Sequence, residues 1–381
     1  MENFILYNPV KLHFGKGALD KLGNAASSFG KKALLVYGKG SVKNNGSYHE
    51  TIAKLNEASV AIIEYDGIKA NPVIEDIEAA AELGRKNKVD MVIGLGGGSV
   101  IDSAKYIAVC IPEKRPVWEI ATGKVKPHKA LPIIAILTLA ATGTEMNPYA
   151  VVQNNKLKKK IGYGHKLMYP KFSFLDPTFT LSVPKDQTAF GIVDLIAHSL
   201  EAYFGKGKSS LSDRFVFSII REAIHYGQDL INDLSNYELR SKIMYAATCA
   251  LNGMTFVGKE SPDWGVHAIG HCLSVLYDAP HGATLSIAYP AWLKLQEKRI
   301  PGKITELGNA VFASENVNDT IYKLEYFFKT IGSPLKLSQL DIVLDEKKKE
   351  QLFKVMVKNK VNGLEHEMSE DDYRFLINEM Q

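Results

Sequence analysis

At 381 residues the chain is long enough for two domains, and a hydrophobic share of 46% supplies a sizeable core. Forty-six basic residues against 42 acidic ones leave a net charge of +4, too mild to point to nucleic acid or an anionic membrane surface as a partner. Three cysteines, Cys110, Cys249 and Cys272, do not make a framework of bridges, and none falls in a C-x-x-C pair, which suits reduced thiols in a cytoplasmic protein.

The opening segment, MENFILYNPVKLHFGKG, carries an acid at its start and no basic stretch ahead of a long apolar one, so it does not read as a signal peptide. Phe4 to Phe14 holds two short apolar runs around Asn8-Pro9; it predicts a hairpin or an edge strand, and a homodimer contact through that edge is the associated expectation. Strands are predicted at Ala33–Tyr37, Val60–Tyr65, Met91–Leu95 and Ile133–Leu137, with helical periodicity between them, as at Ile74–Asn87. Strands rich in Ile and Val that alternate with helices predict a parallel sheet covered on both faces. The longest apolar run, Ala130 to Ala141, has 12 residues and contains Pro132, whereas a membrane span needs roughly 20. After Pro184 the period changes to helical stretches at Thr188–Tyr203, Asp213–Leu230 and Tyr237–Val257. The predicted division is therefore an α/β domain over 1–183 and an all-helical domain over 184–381.

The third strand runs into GLGGGSVIDSAK, where Gly94, Gly96, Gly97 and Gly98 precede a helix predicted to begin near Ser99. Glycine permits tight backbone conformations and close approach of a ligand, and a helix N-terminus aims free amides and the positive end of its dipole at a phosphate. This is the physics of a pyrophosphate site, without the usual Rossmann spacing. The first strand ends in a second glycine-serine turn containing Gly38, Gly40 and Ser41. An acid near such a strand end usually accepts from the ribose hydroxyls of NAD. Here the turn carries Lys39 and Lys43 instead, which favours the 2′-phosphate of NADP(H) over NAD(H); two plain surface lysines are the alternative.

Asp194 and His198 stand at i and i+4 in GIVDLIAHSLEAYF, so a carboxylate and an imidazole share one helix face. His267 and His271 repeat that spacing in HAIGH, and His281 follows before Gly282. Asp194, His198, His267 and His281 form a candidate ligand set for one divalent ion; one carboxylate and three imidazoles suit Fe(II) or Zn(II). His271 is either a further ligand or a proton carrier beside the metal, and its place one turn past His267 favours the second role.

These residues closely resemble the iron-containing alcohol dehydrogenase family, in particular its butanol dehydrogenase and NADPH-dependent aldehyde reductase branch. The resemblance covers nearly the whole chain through Asn71–Val73 (NPV), Gly96–Asp102 (GGGSVID), Thr138–Asn147 (TLAATGTEMN), the Asp194/His198 pair and the HAIGH and HG elements. It implies the fold plan of dehydroquinate synthase and hydride transfer between NADP(H) and a primary alcohol or aldehyde such as butanol or butanal. It also implies that Gly97, Gly98 and Ser99 bind the pyrophosphate and that Thr138 and Thr142 line the cofactor groove. Asn147 and Lys160 are then expected near the nicotinamide-side ribose, Asn71 at the adenosine half, and Asp102 near the nicotinamide or simply as an acid in a first helical turn. Members that prefer NAD often carry an aspartate where this chain has Lys39. Two rivals are a lyase of the dehydroquinate synthase type and a non-catalytic metal- or nucleotide-binding protein. The first would need basic residues converging on the metal, whereas the motifs supply Ile192, Val193, Trp264, Val266 and Ile269; the intact ligands and phosphate turn oppose the second.

Overall fold

A computed structural model describes residues 1–381, which divide into two compact units. One comprises residues 7–183 and 234–248, the other residues 1–6, 184–233 and 249–381. No helix is long and apolar enough to cross a membrane.

The first unit is built on a six-stranded sheet in the order β1-β8-β5-β4-β2-β3. Its strands are β1 (Lys11–Phe14), β2 (Lys32–Tyr37), β3 (Ala61–Tyr65), β4 (Met91–Gly96), β5 (Ile133–Leu137) and β8 (Phe172–Leu175), and every pairing is parallel. The four predicted strands are β2 to β5. The apolar runs of β2, β4 and β5 follow from burial on both sides, whereas the edge strand β3 is partly exposed and carries Glu64. Leu34 and Val36 of β2 enter one core with the helices Ile74–Asn87 and Gly98–Glu113, while Ala33, Leu35 and Tyr37 enter the opposite one with Leu19 and Leu22. A fully buried Leu or Val contributes about 1.5–3 kcal/mol, so each face resists a polar replacement.

Of the segment Phe4–Phe14 only Lys11–Phe14 forms a strand, the edge strand β1, which pairs in parallel with β8. The hairpin of this unit lies elsewhere, in β6 (Tyr149–Asn154) and β7 (Lys159–Gly164). The helix Tyr237–Ala250 stops before the expected Val257, because Gly253 takes a left-handed conformation (φ 103°) and Asn252 Oδ1 accepts the Met254 amide at 3.0 Å. Its residue Met244 packs with Ile101, Ala135, Leu137 and Leu175 of the sheet unit.

The second unit is helical. Its central helix, Lys185–Phe204, is buried at every position from Ile192 to Phe204, which explains why its apolar residues run all round the helix. It packs against Ser210–Asn232 and His281–Gln296, and the latter packs on Gly265–Tyr277. Two glycines set those distances. A Cβ on Gly282 would lie 2.2 Å from the Phe190 carbonyl oxygen, and one on Gly270 would lie 2.7 Å from Thr284 Oγ1.

Candidate metal centre and dinucleotide site

Three helices of the helical unit deliver the metal candidates. Asp194 and His198 stand one turn apart on Lys185–Phe204, His267 lies in the first turn of Gly265–Tyr277, and His281 is the first residue of His281–Gln296. The Asp194 Oδ1 atom is 3.4 Å from His198 Nδ1, 3.8 Å from His267 Nε2 and 3.7 Å from His281 Nε2. Donor atoms of Asp194, His267 and His281 all lie within 4.8 Å of one another. All three separations lie beyond the usual range of a hydrogen bond. Ligand atoms bound at about 2.1 Å and tetrahedral angles stand about 3.4 Å apart, so the cluster has the size of a cation site.

Asp194 Oδ1, His198 Nδ1 and His267 Nε2 are buried atoms without a hydrogen-bond partner, a costly state unless an ion takes their lone pairs. Burial pushes the His198 pKa down to about 4, which keeps that ring neutral as a ligand must be. Burial also opposes charge on His267, but Asp194 and Glu201 outweigh it and hold its pKa up at about 9. Two buried carboxylates thus favour positive charge at the centre, whether proton or metal. The residues present fit a divalent ion.

Trp264 caps Gly265–Tyr277 with φ at 64°, an uncommon conformation for a bulky residue. Its indole stands edge-on to His198 and His267, with ring centroids 6.1 and 5.3 Å away. The other apolar residues expected at the site, Ile192, Val193, Val266 and Ile269, are core residues with no exposure. His271 is partly exposed, and its ring centroid lies 5.6 Å from that of His281.

The dinucleotide candidates belong to the sheet unit. The register pairs Tyr37 with Leu95 and Gly96 with Leu137, so β2, β4 and β5 end together at the carboxyl edge. β2 leads outward to β3 and β4 outward to β5, so the chain reverses direction between β2 and β4. Open α/β sheets bind ligands at such a switch point. Gly38 and Ser41 follow one of these strands; Gly97, Gly98 and Ser99 follow the other at the start of Gly98–Glu113. The glycines are required by close packing, since none from Gly94 to Gly98 has a positive φ. A Cβ would meet Ala104 Cβ at 2.9 Å from Gly94, Val100 Cγ2 at 2.7 Å from Gly96, Leu139 Cβ at 3.3 Å from Gly97 and Thr142 Cγ2 at 2.6 Å from Gly98. Tight backbone conformation, the first reason expected for them, therefore gives way to close packing against these side chains. Gly40 does carry a positive φ of 151°.

Several candidates make strong internal bonds. Thr138 donates its amide to the Gly96 carbonyl at 3.0 Å, which ties the two strand ends together. The Thr142 hydroxyl accepts the Thr144 amide at 3.2 Å. Asn147 donates to the Gly143 carbonyl at 2.8 Å and accepts from the Tyr149 amide at 2.9 Å. Asp102 accepts from the Thr144 hydroxyl at 2.6 Å and the Val151 amide at 2.8 Å, so it pins its helix to β6. The fully buried Lys105 ammonium joins the same cluster through Thr144 Oγ1 and the Tyr149 carbonyl, both at 2.6 Å. Lys160 donates to Asn71 Oδ1 at 2.9 Å. The two side chains expected at different halves of the cofactor are therefore in direct contact. Lys39 is exposed, and Lys43 holds its ammonium over the rings of Tyr37 and Tyr48 at 5.3 and 5.1 Å. The carboxylate of Glu64 accepts from both tyrosine hydroxyls, at 2.6 and 2.9 Å.

Glu201, Asp263 and Lys105 were not singled out from the sequence. Glu201 extends the Asp194/His198 spacing by three residues, the one signal that points to it.

Comparison with known proteins agrees with both regions. Residues 9–177 match the model of iron-containing alcohol dehydrogenases, and residues 188–377 match the C-terminal model of the Fe-containing alcohol dehydrogenase family. The chain is 39% identical to a probable NADH-dependent butanol dehydrogenase of Bacillus subtilis over 372 residues, 95% of each chain. It is 33% identical to an NADPH-dependent aldehyde reductase of Escherichia coli over 348 residues, 89% of each chain. The crystal structure of an NADH-dependent butanol dehydrogenase A from Thermotoga maritima superposes with a TM-score of 0.95 at 36% identity, covering 100% of this chain and 99% of that one. With both halves matched and the donor cluster in place, the chain belongs to the iron-containing alcohol dehydrogenase family, a family of oxidoreductases.

Proposed function

We propose that the chain interconverts small aliphatic aldehydes and primary alcohols, butanal and butanol among them. It uses NADP(H) in preference to NAD(H) and one divalent ion, Fe(II) or Zn(II), held by Asp194, His198, His267 and His281. The observation that carries the reading is the cluster of buried donor atoms around Asp194 Oδ1, three of them without hydrogen-bond partners. When bound, the ion supplies Lewis-acid polarisation of the carbonyl, and the nicotinamide supplies the hydride. His271 donates a ring N–H proton to the substrate oxygen as hydride arrives and takes it back in the oxidation. Trp264 offers an apolar surface beside the ligands and suits an aliphatic substrate.

Residues 1–183 serve as the dinucleotide-binding region and 184–381 as the metal-binding region. Gly97, Gly98 and Ser99 receive the pyrophosphate at the start of Gly98–Glu113. Gly38, Ser41, Thr138 and Thr142 border it, and Asn71 with Lys160 forms one polar contact point. Asp102 and Asn147 act by holding that framework, since their side chains are bonded within it. The preference for NADP(H) rests on Lys39 and Lys43 beside Ser41, with Glu64 engaged by two tyrosines. The names of the Bacillus and Thermotoga relatives favour a second reading, NAD(H).

Phe4, Ile5, Leu6 and Tyr7 are 51, 95, 54 and 71% exposed, which supports a homodimer formed through the N-terminal segment. The three cysteines form no disulfide, which supports a cytoplasmic setting. An aldehyde panel run with NADPH and with NADH, after apo-protein is loaded with Fe(II) or Zn(II), tests the activity. Turnover of aliphatic aldehydes only when metal is loaded is the expected result. Equal turnover in stripped protein would refute the metal role.

A further inference from the structure

We propose that Glu201 is the positioning residue for the metal centre: it fixes the ring and the tautomer of His267 so that Nε2 faces the ion. The inference rests on the ligand set proposed above.

Glu201 lies three residues after His198 and seven after Asp194 on Lys185–Phe204, so all three side chains leave one face of the helix. It is 1% exposed. A carboxylate in that position costs several kcal/mol unless something answers its charge. Its Oε1 atom lies 2.8 Å from His267 Nδ1 and also accepts the His267 backbone amide at 3.0 Å. The Glu201 carbonyl in turn accepts the Asp263 amide at 3.0 Å. One residue of the central helix thus holds both the main chain and the imidazole at the start of Gly265–Tyr277.

The chemical consequence follows from the imidazole itself. A carboxylate can only accept, so Nδ1 must carry the hydrogen that Glu201 receives. The neutral ring's lone pair is then on Nε2, the atom that faces Asp194 Oδ1 at 3.8 Å. The opposite tautomer would aim a hydrogen at the ion and place two lone pairs against each other at Glu201. The charge of Glu201 also raises the basicity of the ligand, as carboxylates behind metal-bound histidines do.

A purely structural role would need only the two acceptor contacts, which Glu201→Gln retains while losing the charge. Metal affinity in apo-protein, titrated with Zn(II) against a chelating dye, separates the two. The expected result is a 10–100-fold weaker affinity in Glu201→Gln, with the KM for cofactor unchanged. Glu306→Gln, which alters a carboxylate bonded to the Tyr203 hydroxyl, is the control expected to bind Zn(II) as wild type does. Wild-type affinity in Glu201→Gln, alongside loss of binding in His267→Ala, would overturn the role of Glu201 and leave the ligand set standing. Wild-type affinity in His267→Ala would overturn the ligand set and this inference with it. The second measurement needs no variant: nitrogen-15 spectra of histidine-labelled, Zn(II)-loaded wild type should show His267 with hydrogen on Nδ1 and metal on Nε2. Metal on Nδ1 would overturn the proposal.

Discussion

The metal centre and the glycine turn are specified in different ways. At the metal centre the information lies in side chains: a carboxylate and three imidazoles meet because helix spacing places two of them and close helix packing brings up the others. At the glycine turn it lies in missing side chains: Gly97 and Gly98 leave room for Leu139 and Thr142 of the loop after β5. The first region tolerates little change in chemistry, the second little change in volume. Substitutions can therefore fail in two separable ways, one read in metal content and the other in cofactor affinity.

The largest effect is expected from the ligands. His267→Ala or His281→Ala should lose bound metal, read by elemental analysis, and reduce turnover by about 10³-fold or more, as loss of several kcal/mol of carbonyl polarisation implies. Full metal occupancy with a wild-type rate would remove that residue from the set. His271→Ala should keep the metal and lose about 10²–10⁴ in rate, the usual worth of a general acid. A metal-free His271→Ala protein would make His271 a ligand.

Gly98→Val should act through volume. Its Cβ would meet Thr142 Cγ2 at 2.6 Å, whereas that of Gly97 meets Leu139 Cβ at 3.3 Å. Gly98→Val is expected to cost about 1–3 kcal/mol in urea unfolding and to raise the KM for cofactor, with Gly97→Val milder in stability. Metal content should be unchanged in both. Adding Thr142→Ala to Gly98→Ala should restore part of the stability, and failure to do so would mean the clash lies elsewhere.

The two regions also differ in how far they could be read before the fold was known. Asp194 and His198 are legible because helical period alone brings i and i+4 together, and the HAIGH and HG strings add histidines at turn and glycine positions. Glu201 was not, since an acid after a histidine looks like any polar helix residue until His267, 66 positions away, closes on it. The strands β2, β4 and β5 announce themselves by unbroken apolar runs, and β3 by a run interrupted only at Glu64. The hairpin β6–β7 does not, because Gln153, Asn154 and Lys159 interrupt its pattern. Likewise nothing in the chain marks Lys105 as buried: its ammonium is satisfied by Thr144 and the Tyr149 carbonyl, contacts that span about 40 positions. The helix Tyr237–Ala250 has ordinary helical periodicity, and its place with the sheet is fixed by Met244 meeting Ile101 and Leu175. Local period reveals elements and same-face pairs; partners brought together only by packing remain hidden.

The smallest expected effect, cofactor choice, tests whether side chains also contribute at the glycine turn. Lys39 is exposed next to Gly38, and Lys43 is steadied over Tyr37 and Tyr48. Those tyrosines donate to Oε2 of Glu64, which keeps the ring pair in place beneath Lys43. A 2′-phosphate carries about two negative charges, and a charge-assisted hydrogen bond to it is worth roughly 1.5–3 kcal/mol. One such contact favours NADPH by about one to two decades, since 1.4 kcal/mol is a factor of ten. Lys39→Asp replaces attraction with repulsion and adds an acceptor for free hydroxyls, so it should move the ratio of kcat/KM for NADPH over NADH downward by at least that much. Lys43→Ala should move it in the same direction by less, because the two rings already share its charge. If wild type prefers NADH, or neither substitution moves the ratio, the lysines serve only the solvent-facing surface. The turn would then recognise its cofactor through backbone alone, and the contrast with the metal centre would be complete.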